Sequence, residues 1–186
     1  MNKVQLREFY LNKRALLTQK EVQQISTSIA ENLFNNINFK LGDSVHIFLP
    51  IKSKNEINTY PIVTRLEKMG VNIIVPITDF KQKKMTSVRY DTGQQTSLNK
   101  GIPEPIQKKT FDDDKLTHVL LPLTIFDKKG YRIGYGGGFY DRFLANLTSK
   151  VQKIGLSIFK PVDNCYPNQH DIPLNACVSA DFFNRF

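Results

Sequence analysis

The sequence lacks any long apolar run, and this absence limits where the protein can act. No stretch of about eighteen apolar residues occurs, so a membrane-spanning helix is excluded and no membrane partner is expected. Residues 1 to 7 also lack the apolar core of a signal peptide. We therefore expect a cytoplasmic protein.

Cysteine is scarce as well, since the chain has only Cys165 and Cys177. Neither has metal-ligand partners at a recognisable spacing, which argues against a zinc site. We expect both to be free, structural thiols. The chain also shows no evident Ser-His-Asp or Cys-His arrangement, so a covalent protein nucleophile is not expected.

Acidic residues are outnumbered by basic ones. The chain has 26 Lys and Arg against 17 Asp and Glu, a formal net charge of +9 with histidine neutral. This excess favours anionic ligands, but its sign alone does not distinguish nucleic acid from ATP or a polycarboxylate. The basic residues are scattered, and no arginine-rich tail, zinc-finger spacing or aromatic RNA-binding signature accompanies them. We expect no nucleic-acid partner, and a basic RNA-binding module remains the weaker alternative.

Apolar runs of strand length alternate with segments of helical pattern. The predicted strands are residues 45–49, 72–76, 118–122 and 153–158, and the predicted helices are residues 2–17, 18–36, 59–70 and 139–147. Continuous apolar strands separated by helices are typical of a parallel sheet covered on both faces. We predict a single α/β domain over residues 1–186, in which helices flank a largely parallel central sheet in three layers.

Glycine is infrequent, but half of it is concentrated in one loop. Five of the ten glycines fall between positions 130 and 138. Bare backbone N–H groups, with Arg132 before the tightest cluster and a helix start after it, form an anion site, most naturally for phosphate. The loop follows a predicted strand, which places it at the carboxyl end of the sheet, where ligands of such folds bind.

Two familiar nucleotide motifs do not fit this loop. A P-loop requires Gly-Lys-Ser/Thr at its end, whereas Gly138 is followed by Phe139. The dinucleotide fingerprint, aligned on Gly134 and Gly136, requires a third glycine where Phe139 stands. The loop alone therefore predicts a phosphate site of unspecified kind.

The residues around the loop match a longer pattern. The matching positions are Phe126, Asp127, Gly130, Arg132, Gly134, Gly136, Gly138, Tyr140, Asp141, Arg142 and Leu144, with Ile133 and Phe139 as conservative departures. This pattern resembles the hallmark of the 5-formyltetrahydrofolate cyclo-ligase family. Lys3 with Arg7, residues 55–59 and residues 170–174 resemble three further segments of that family in the same order. The resemblance thus spans nearly the whole chain.

The resemblance implies a reaction, namely closure of 5-formyltetrahydrofolate to 5,10-methenyltetrahydrofolate with ATP and Mg²⁺, releasing ADP and phosphate. Such chemistry depends on positioning and charge stabilisation rather than on a protein nucleophile. Another nucleotide- or sugar-phosphate-using enzyme with an α/β fold is the alternative, because fold alone does not determine function.

The resemblance also assigns contacts to ATP. The expected ATP-binding residues are Lys3, Arg7, Arg132, Ile133, Gly134, Tyr135, Gly136, Gly137, Gly138, Phe139 and Tyr140, of which Arg132 and Tyr140 are the candidate catalytic residues. Lys3 and Arg7 lie one helical turn apart and can converge on one ligand. Tyr135 occupies a variable position of the hallmark, so its backbone is expected to matter more than its side chain.

Metal and folate contacts complete the expected site. Asp141 and Asp171 are the candidate Mg²⁺ ligands, although an aspartate in the first turn of a helix often serves that helix instead. Glu56, on a polar loop, and Tyr140 are the candidate folate contacts, with Leu49 or Ile51 as the apolar wall. We expect a monomer, and the net charge of +9 is compatible with a polyglutamylated substrate.

Overall fold

The computed structural model describes residues 1–186 and confirms the α/β fold. The α-helices are α1 (Lys3–Ala15), α2 (Gln19–Asn36), α3 (Tyr60–Lys68) and α4 (Phe139–Leu144). The strands are β1 (Ser44–Ile47), β2 (Asn72–Asp79), β3 (Lys84–Arg89), β4 (Thr96–Asn99), β5 (Ile102–Pro105), β6 (His118–Pro122), β7 (Ile125–Phe126), β8 (Arg132–Ile133), β9 (Gln152–Leu156), β10 (Ala176–Val178) and β11 (Phe183–Arg185). Two short 3₁₀ turns lie at Lys52–Lys54 and Asp113–Lys115.

Seven strands form the central sheet, in the order β11-β10-β9-β6-β1-β2-β3. All neighbouring pairs from β10 to β2 are parallel, whereas β11 and β3 pair antiparallel at the two edges. In register, Val45 of β1 lies opposite Ile73 on one side and His118 on the other. The chain leaves β1 toward β2 and leaves β6 toward β9. The sheet therefore has a topological switch point between β1 and β6, the usual ligand position in such folds.

Side chains alternate between the two faces of the sheet. On β6, Leu120 belongs to the larger core cluster, which also contains Ile29 of α2 and Leu66 of α3. Leu121 belongs to the second cluster, which contains Phe143 of α4. Helices α2 and α3 thus cover one face and α4 the other, which produces the three predicted layers.

The starts of the first two helices follow from capping. The Thr18 side chain accepts from the Glu21 N–H, and the Glu21 carboxylate accepts from the Thr18 N–H, so the predicted capping box is present. Asn2 and Gln5 form a second capping box, which starts α1 at Lys3. The cap fixes which residues occupy the first turn of α1, and Lys3 and Arg7 therefore lie on successive turns.

The structure differs from the sequence prediction mainly in short antiparallel elements. Helix α4 ends at Leu144, three residues before the predicted end. The glycine loop does not follow β6 directly, because the β7–β8 hairpin lies between them. The β4–β5 hairpin, both edge strands and the inner, parallel strand β10 were not predicted. These strands are only two to six residues long, too short for an apolar periodicity to be visible.

Two absences expected from the sequence concern the membrane and the cysteines. None of the helices combines the length and apolar character needed to cross a bilayer. Cys165 and Cys177 are both buried and unpaired, as predicted. Burial raises the pKa of the Cys165 thiol to about 12, so this sulfur is a poor nucleophile.

Candidate active site

A cavity of about 600 Å³ opens at the switch point of the sheet. Phe48 and Leu49 follow the carboxyl end of β1, Pro76 and Thr78 belong to the second half of β2, and Pro122 ends β6. The cavity is within the size range of small-molecule and cofactor sites. Almost every residue predicted to bind ligand lines it.

The glycine loop, residues 134–138, forms one wall of this cavity. None of its five backbone N–H groups donates a hydrogen bond within the protein. Gly136 and Gly138 have φ values of +92° and +64°, which residues other than glycine rarely adopt. These turns leave a row of free N–H donors beside the start of α4, which is the arrangement expected of an anion site.

Arg7 explains why position 136 has no side chain. The Arg7 Nε donates to the Gly134 carbonyl at 2.8 Å, which attaches the loop to α1. A Cβ atom built on Gly136 would lie 3.3 Å from Arg7 Cζ. The loop therefore packs directly on the guanidinium, and both line the cavity.

Arg132 and Asp141, at either end of the loop, form an ion pair. Arg132 Nη2 donates to Asp141 Oδ1 at 2.8 Å, and Arg132 Nη1 donates to the Ile172 carbonyl. Burial lowers the pKa of Arg132 while Asp141 opposes that shift, so the arginine keeps its charge. Helix α4 begins after Gly138 without any side-chain cap, and Asp141 lies in its first turn, where a negative charge also favours the helix dipole.

Lys3 and Asp171 form a second ion pair on the cavity wall. Asp171 also accepts from the Asn168 N–H at 2.8 Å, which orders the loop that precedes the His-Asp-x-Pro-Leu segment. His170 is exposed and its ring contacts only Gln169. No group of three or more His, Cys, Asp or Glu side chains is arranged to hold a metal by itself. Asp141 and Asp171 are thus two separate carboxylates, each paired with a cation.

Glu56 corrects one expectation, because it is buried rather than exposed on its loop. Its side chain is 5% exposed, and its carboxylate accepts from the Ile51 N–H at 2.7 Å and from the Tyr135 hydroxyl at 2.5 Å. Burial raises the pKa of Glu56, and these two donors together with the charges of Arg14 and Lys54 oppose that rise. The carboxylate borders the cavity next to the glycine loop, through its hydrogen bond with Tyr135.

Tyr140 lines the cavity with a hydroxyl that has no hydrogen-bond partner in the protein. Burial raises its pKa, so it is a neutral phenol. Its ring packs edge-on against His46 of β1, with 6.3 Å between the centroids. Both ring nitrogens of His46 are buried without partners, and burial lowers the pKa of His46 to about 3. The ring of an uncharged His46 thus packs against the Tyr140 ring.

The apolar part of the cavity comes from two segments. Leu49 and Ile51, the two alternatives predicted for the apolar wall, both line the cavity. The unpredicted β4–β5 hairpin contributes Ile102, Pro103 and the preceding Lys100. Buried Glu104 holds this hairpin to β2 by accepting from the Thr78 N–H at 2.7 Å. A glutamate between two prolines was visible in the sequence, but nothing there indicated its partner.

Ile133 is the one expected nucleotide contact that the structure does not bring to the cavity. Its side chain is fully buried in a small cluster with Leu6 and Ile125, where it holds α1 against the β7–β8 hairpin. Asp127 of the hallmark is likewise structural, since its carboxylate accepts from the N–H groups of Lys129, Tyr131 and Cys165.

Sequence reasoning missed Arg14 and the side chain of Tyr135. Arg14 is 4% exposed and donates to the Tyr135 hydroxyl, which in turn donates to Glu56. The sequence did contain an indication that Arg14 belongs to the site, because helical spacing places it on the same face of α1 as Lys3 and Arg7. No comparable signal existed for Tyr135, whose partners are remote in sequence.

Comparison with known proteins shows the family of the chain. A model of the 5-formyltetrahydrofolate cyclo-ligase family matches residues 1–179. The chain belongs to this family. It is 29% identical over 167 residues to a 5-formyltetrahydrofolate cyclo-ligase of Haemophilus influenzae, covering 87% of this chain and 88% of the relative. It is 27% identical over 173 residues to the Escherichia coli (strain K12) protein of that name, covering 90% and 94% of the two chains.

Solved structures of this cyclo-ligase family lead to the same conclusion. A structure of 5,10-methenyltetrahydrofolate synthetase from Aquifex aeolicus superposes with a TM-score of 0.83 at 27% identity, covering all of this chain and 93% of the other. A second synthetase structure, from Mycoplasma pneumoniae, has a TM-score of 0.79 at 24% identity and covers 97% of this chain and all of the other. The second likeness shows the fold alone. The family resemblance deduced from the sequence is confirmed.

Proposed function

We propose that the protein is an ATP- and Mg²⁺-dependent ligase that converts 5-formyltetrahydrofolate to 5,10-methenyltetrahydrofolate, releasing ADP and phosphate. The observation that carries this proposal is a single cavity with two chemically different walls. One wall presents the free N–H groups of residues 134–138 beside Arg7 and Arg132, and the adjoining wall presents buried Glu56 with the apolar residues Leu49 and Ile51. Such a cavity suits a polyphosphate and a heterocycle held side by side, and the chain belongs to the cyclo-ligase family.

The polyphosphate would be held by backbone and side-chain donors together. The N–H groups of the glycine loop wrap the phosphates, and Lys3 and Arg7 approach from α1. Arg132 uses two of its five donors within the protein, so the others remain for phosphate oxygens. Ile133 would contribute only through its backbone. Phe139 and Tyr140 form the adjoining surface.

Asp141 and Asp171 would hold Mg²⁺ together with phosphate oxygens. Two carboxylates on the cavity wall fit this ion, which is commonly bound through one or two carboxylates and the substrate's phosphates. Each carboxylate is balanced by a cation in the structure, Asp141 by Arg132 and Asp171 by Lys3. The ion supplies positive charge near the transferred phosphoryl group.

The folate would lie against the adjoining wall. The Glu56 carboxylate accepts from N–H donors of the pterin ring, and Leu49 and Ile51 cover the ring's apolar surface. The unpartnered Tyr140 hydroxyl is close enough to Glu56 and Arg132 to feel the charges of both, and it can donate to the formyl oxygen or to a phosphate oxygen. The basic surface of the protein, with a net charge of +9, is compatible with a polyglutamate tail.

Phosphorylation makes the ring closure possible, because a formamide oxygen is a poor leaving group. The formyl oxygen attacks the γ-phosphorus and ADP leaves. The second folate nitrogen then attacks the formyl carbon, loses its proton, and inorganic phosphate leaves with the former formyl oxygen. Arg132 and the loop N–H groups stabilise the charge on the transferred group, and no protein nucleophile takes part.

An absorbance assay tests the proposal directly, because the methenyl product absorbs in the near ultraviolet. We expect product from 5-formyltetrahydrofolate only when ATP and Mg²⁺ are both present, with one ADP formed per product. Absence of product with all three components present would overturn the proposal. We also propose that the enzyme acts as a cytoplasmic monomer. Its two buried free thiols are consistent with a reducing compartment.

A further inference from the structure

Tyr135 occupies a central position between the two halves of the cavity. Its hydroxyl donates to Glu56 Oε1 at 2.5 Å and accepts from Arg14 Nη2. The other carboxylate oxygen, Oε2, accepts from the Ile51 N–H at 2.7 Å. Glu56 therefore has one donor from its own loop and one from the glycine loop, and the second is a side chain.

This chain of contacts joins two buried opposite charges that do not touch each other. Arg14 is 4% exposed and Glu56 is 5% exposed. The Arg14 guanidinium makes one side-chain hydrogen bond, to Tyr135, and its buried Nε has no partner. Lys54 Nζ lies 4.3 Å from the Tyr135 ring centroid and adds a further positive charge. The Tyr135 hydroxyl thus connects the two charges, because it accepts a hydrogen bond from Arg14 and donates one to Glu56.

The backbone of Tyr135 is attached to the phosphate-binding wall. Its neighbour Gly134 accepts from Arg7 Nε at 2.8 Å, and its other neighbour, Gly136, packs on the same guanidinium. A polyphosphate bound to the loop would therefore contact the same short segment that carries the Tyr135 hydroxyl. Helix α1 carries both Arg7 and Arg14, so one rigid element holds the backbone and the hydroxyl of this residue.

We propose that Tyr135 is a positioning residue for Glu56. From the glycine loop, its hydroxyl orients the carboxylate toward the folate N–H donors and thereby links folate binding to the conformation of the nucleotide-binding wall. The inference rests on the proposed function. It adds to that function a residue whose side chain stands at a variable position of the family hallmark.

Tyr135→Phe removes only the hydroxyl and should raise the KM for folate more than it lowers kcat. The carboxylate loses a hydrogen bond, so we expect kcat/KM for folate to fall by about ten- to a hundred-fold. Removal of a donor to the carboxylate raises the pKa of Glu56, so the acid limb of the kcat/KM profile should move to higher pH. Tyr10→Phe is the matched control, because the Tyr10 hydroxyl makes no hydrogen bond and lies outside the cavity.

Arg14→Met is the second variant and leaves the Tyr135 hydroxyl in place. It should move the acid limb in the same direction by a smaller amount. An unchanged acid limb and an unchanged folate KM in folded Tyr135→Phe would overturn the positioning role. A fall in kcat alone, at constant KM, would also overturn it, because the hydroxyl would then act on the transition state rather than on folate binding.

Equilibrium binding separates this inference from the proposed function. We would measure the Kd of 5-formyltetrahydrofolate by equilibrium dialysis, with and without a non-hydrolysable ATP analogue and Mg²⁺. The analogue should change the folate Kd of the wild-type protein by about five-fold or more. It should change that of Tyr135→Phe much less. Equal coupling in both proteins would overturn the inference alone, whereas a wild-type protein that binds neither ligand would overturn the proposed function.

Discussion

Arg132 and Asp141 stand nine positions apart and meet in an ion pair, with 2.8 Å between Nη2 and Oδ1, that closes the glycine loop. The pair also reaches the C-terminal segment, because Arg132 donates to the Ile172 carbonyl and Asp141 accepts from the Ile172 N–H. The loop conformation and the charge of the cavity wall therefore depend on the same two side chains. This connection lets the two residues be distinguished by substitution.

Arg132→Ala should impair both catalysis and folding. Each charge-assisted hydrogen bond to phosphate is worth about 1.5–3 kcal/mol, so kcat/KM for ATP should fall by about ten- to a hundred-fold for each such bond that the substitution removes. The melting temperature should fall as well, because Asp141 and the Ile172 carbonyl lose their donor. Arg132→Lys keeps the charge without the planar fork and should recover stability better than activity. Unchanged ATP kinetics in Arg132→Ala would rule out a phosphate contact.

Asp141→Asn should raise the Mg²⁺ concentration needed for half-maximal activity and should also lower the melting temperature. The amide oxygen can still accept from Arg132, but the buried guanidinium loses its paired negative charge. Titration of Mg²⁺ at saturating ATP measures the effect, with Asp171→Asn as the companion variant. A variant that melts much earlier but needs no more Mg²⁺ would show that the carboxylate is only structural.

The sequence predicted four of the five inner strands, β1, β2, β6 and β9, because they are apolar runs of strand length, and it missed β10, which has only three residues. The run at His118–Pro122 was predicted with its observed bounds, and the capping box at Thr18 placed the start of α2. The edge elements could not be predicted in the same way. Strand β4 is exposed along nearly its whole length, so no burial pattern marks it.

The sequence predicted the cavity-lining residues of the glycine loop and most of the charged ones, whereas it did not predict contacts between residues remote in sequence. Arg132 and Asp141 belong to one short motif, so their proximity was foreseeable. Glu56 and Tyr135 are 79 positions apart, and only the fold shows that they share a hydrogen bond. The burial of Glu56 has the same origin, because Tyr135 helps to cover it.

Gly136→Ala should lose ATP binding through two effects. The φ of +92° strains any residue with a Cβ by about 1–2 kcal/mol, and the new methyl group would press on Arg7. Gly93→Ala is the matched control, because its φ is +88° with no atom within 4 Å of the added Cβ. Both variants should lose similar stability in urea unfolding, and only Gly136→Ala should raise the KM for ATP. A similar rise in KM in Gly93→Ala would show that strain alone is responsible.

His46→Leu should make stability less dependent on pH. Burial lowers the pKa of His46 to about 3 from its ordinary 6.5. Between these values the unfolded chain binds a proton that the folded protein does not, so the stability associated with neutral His46 is present above pH 6.5 and is lost as the pH falls toward 3. The loss amounts to about 1.4 kcal/mol per pH unit over that interval.

The measurement for His46→Leu is the free energy of unfolding in urea at pH 7 and pH 5. Between these values the wild-type protein should lose about 2 kcal/mol more than the variant. His170→Leu makes the same substitution at an exposed histidine and should keep the wild-type dependence. An equal pH dependence in wild type and His46→Leu would mean that His46 takes up a proton in the folded protein. A charged imidazolium would then pack against Tyr140, and the description of His46 as an uncharged neighbour of Tyr140 would be wrong.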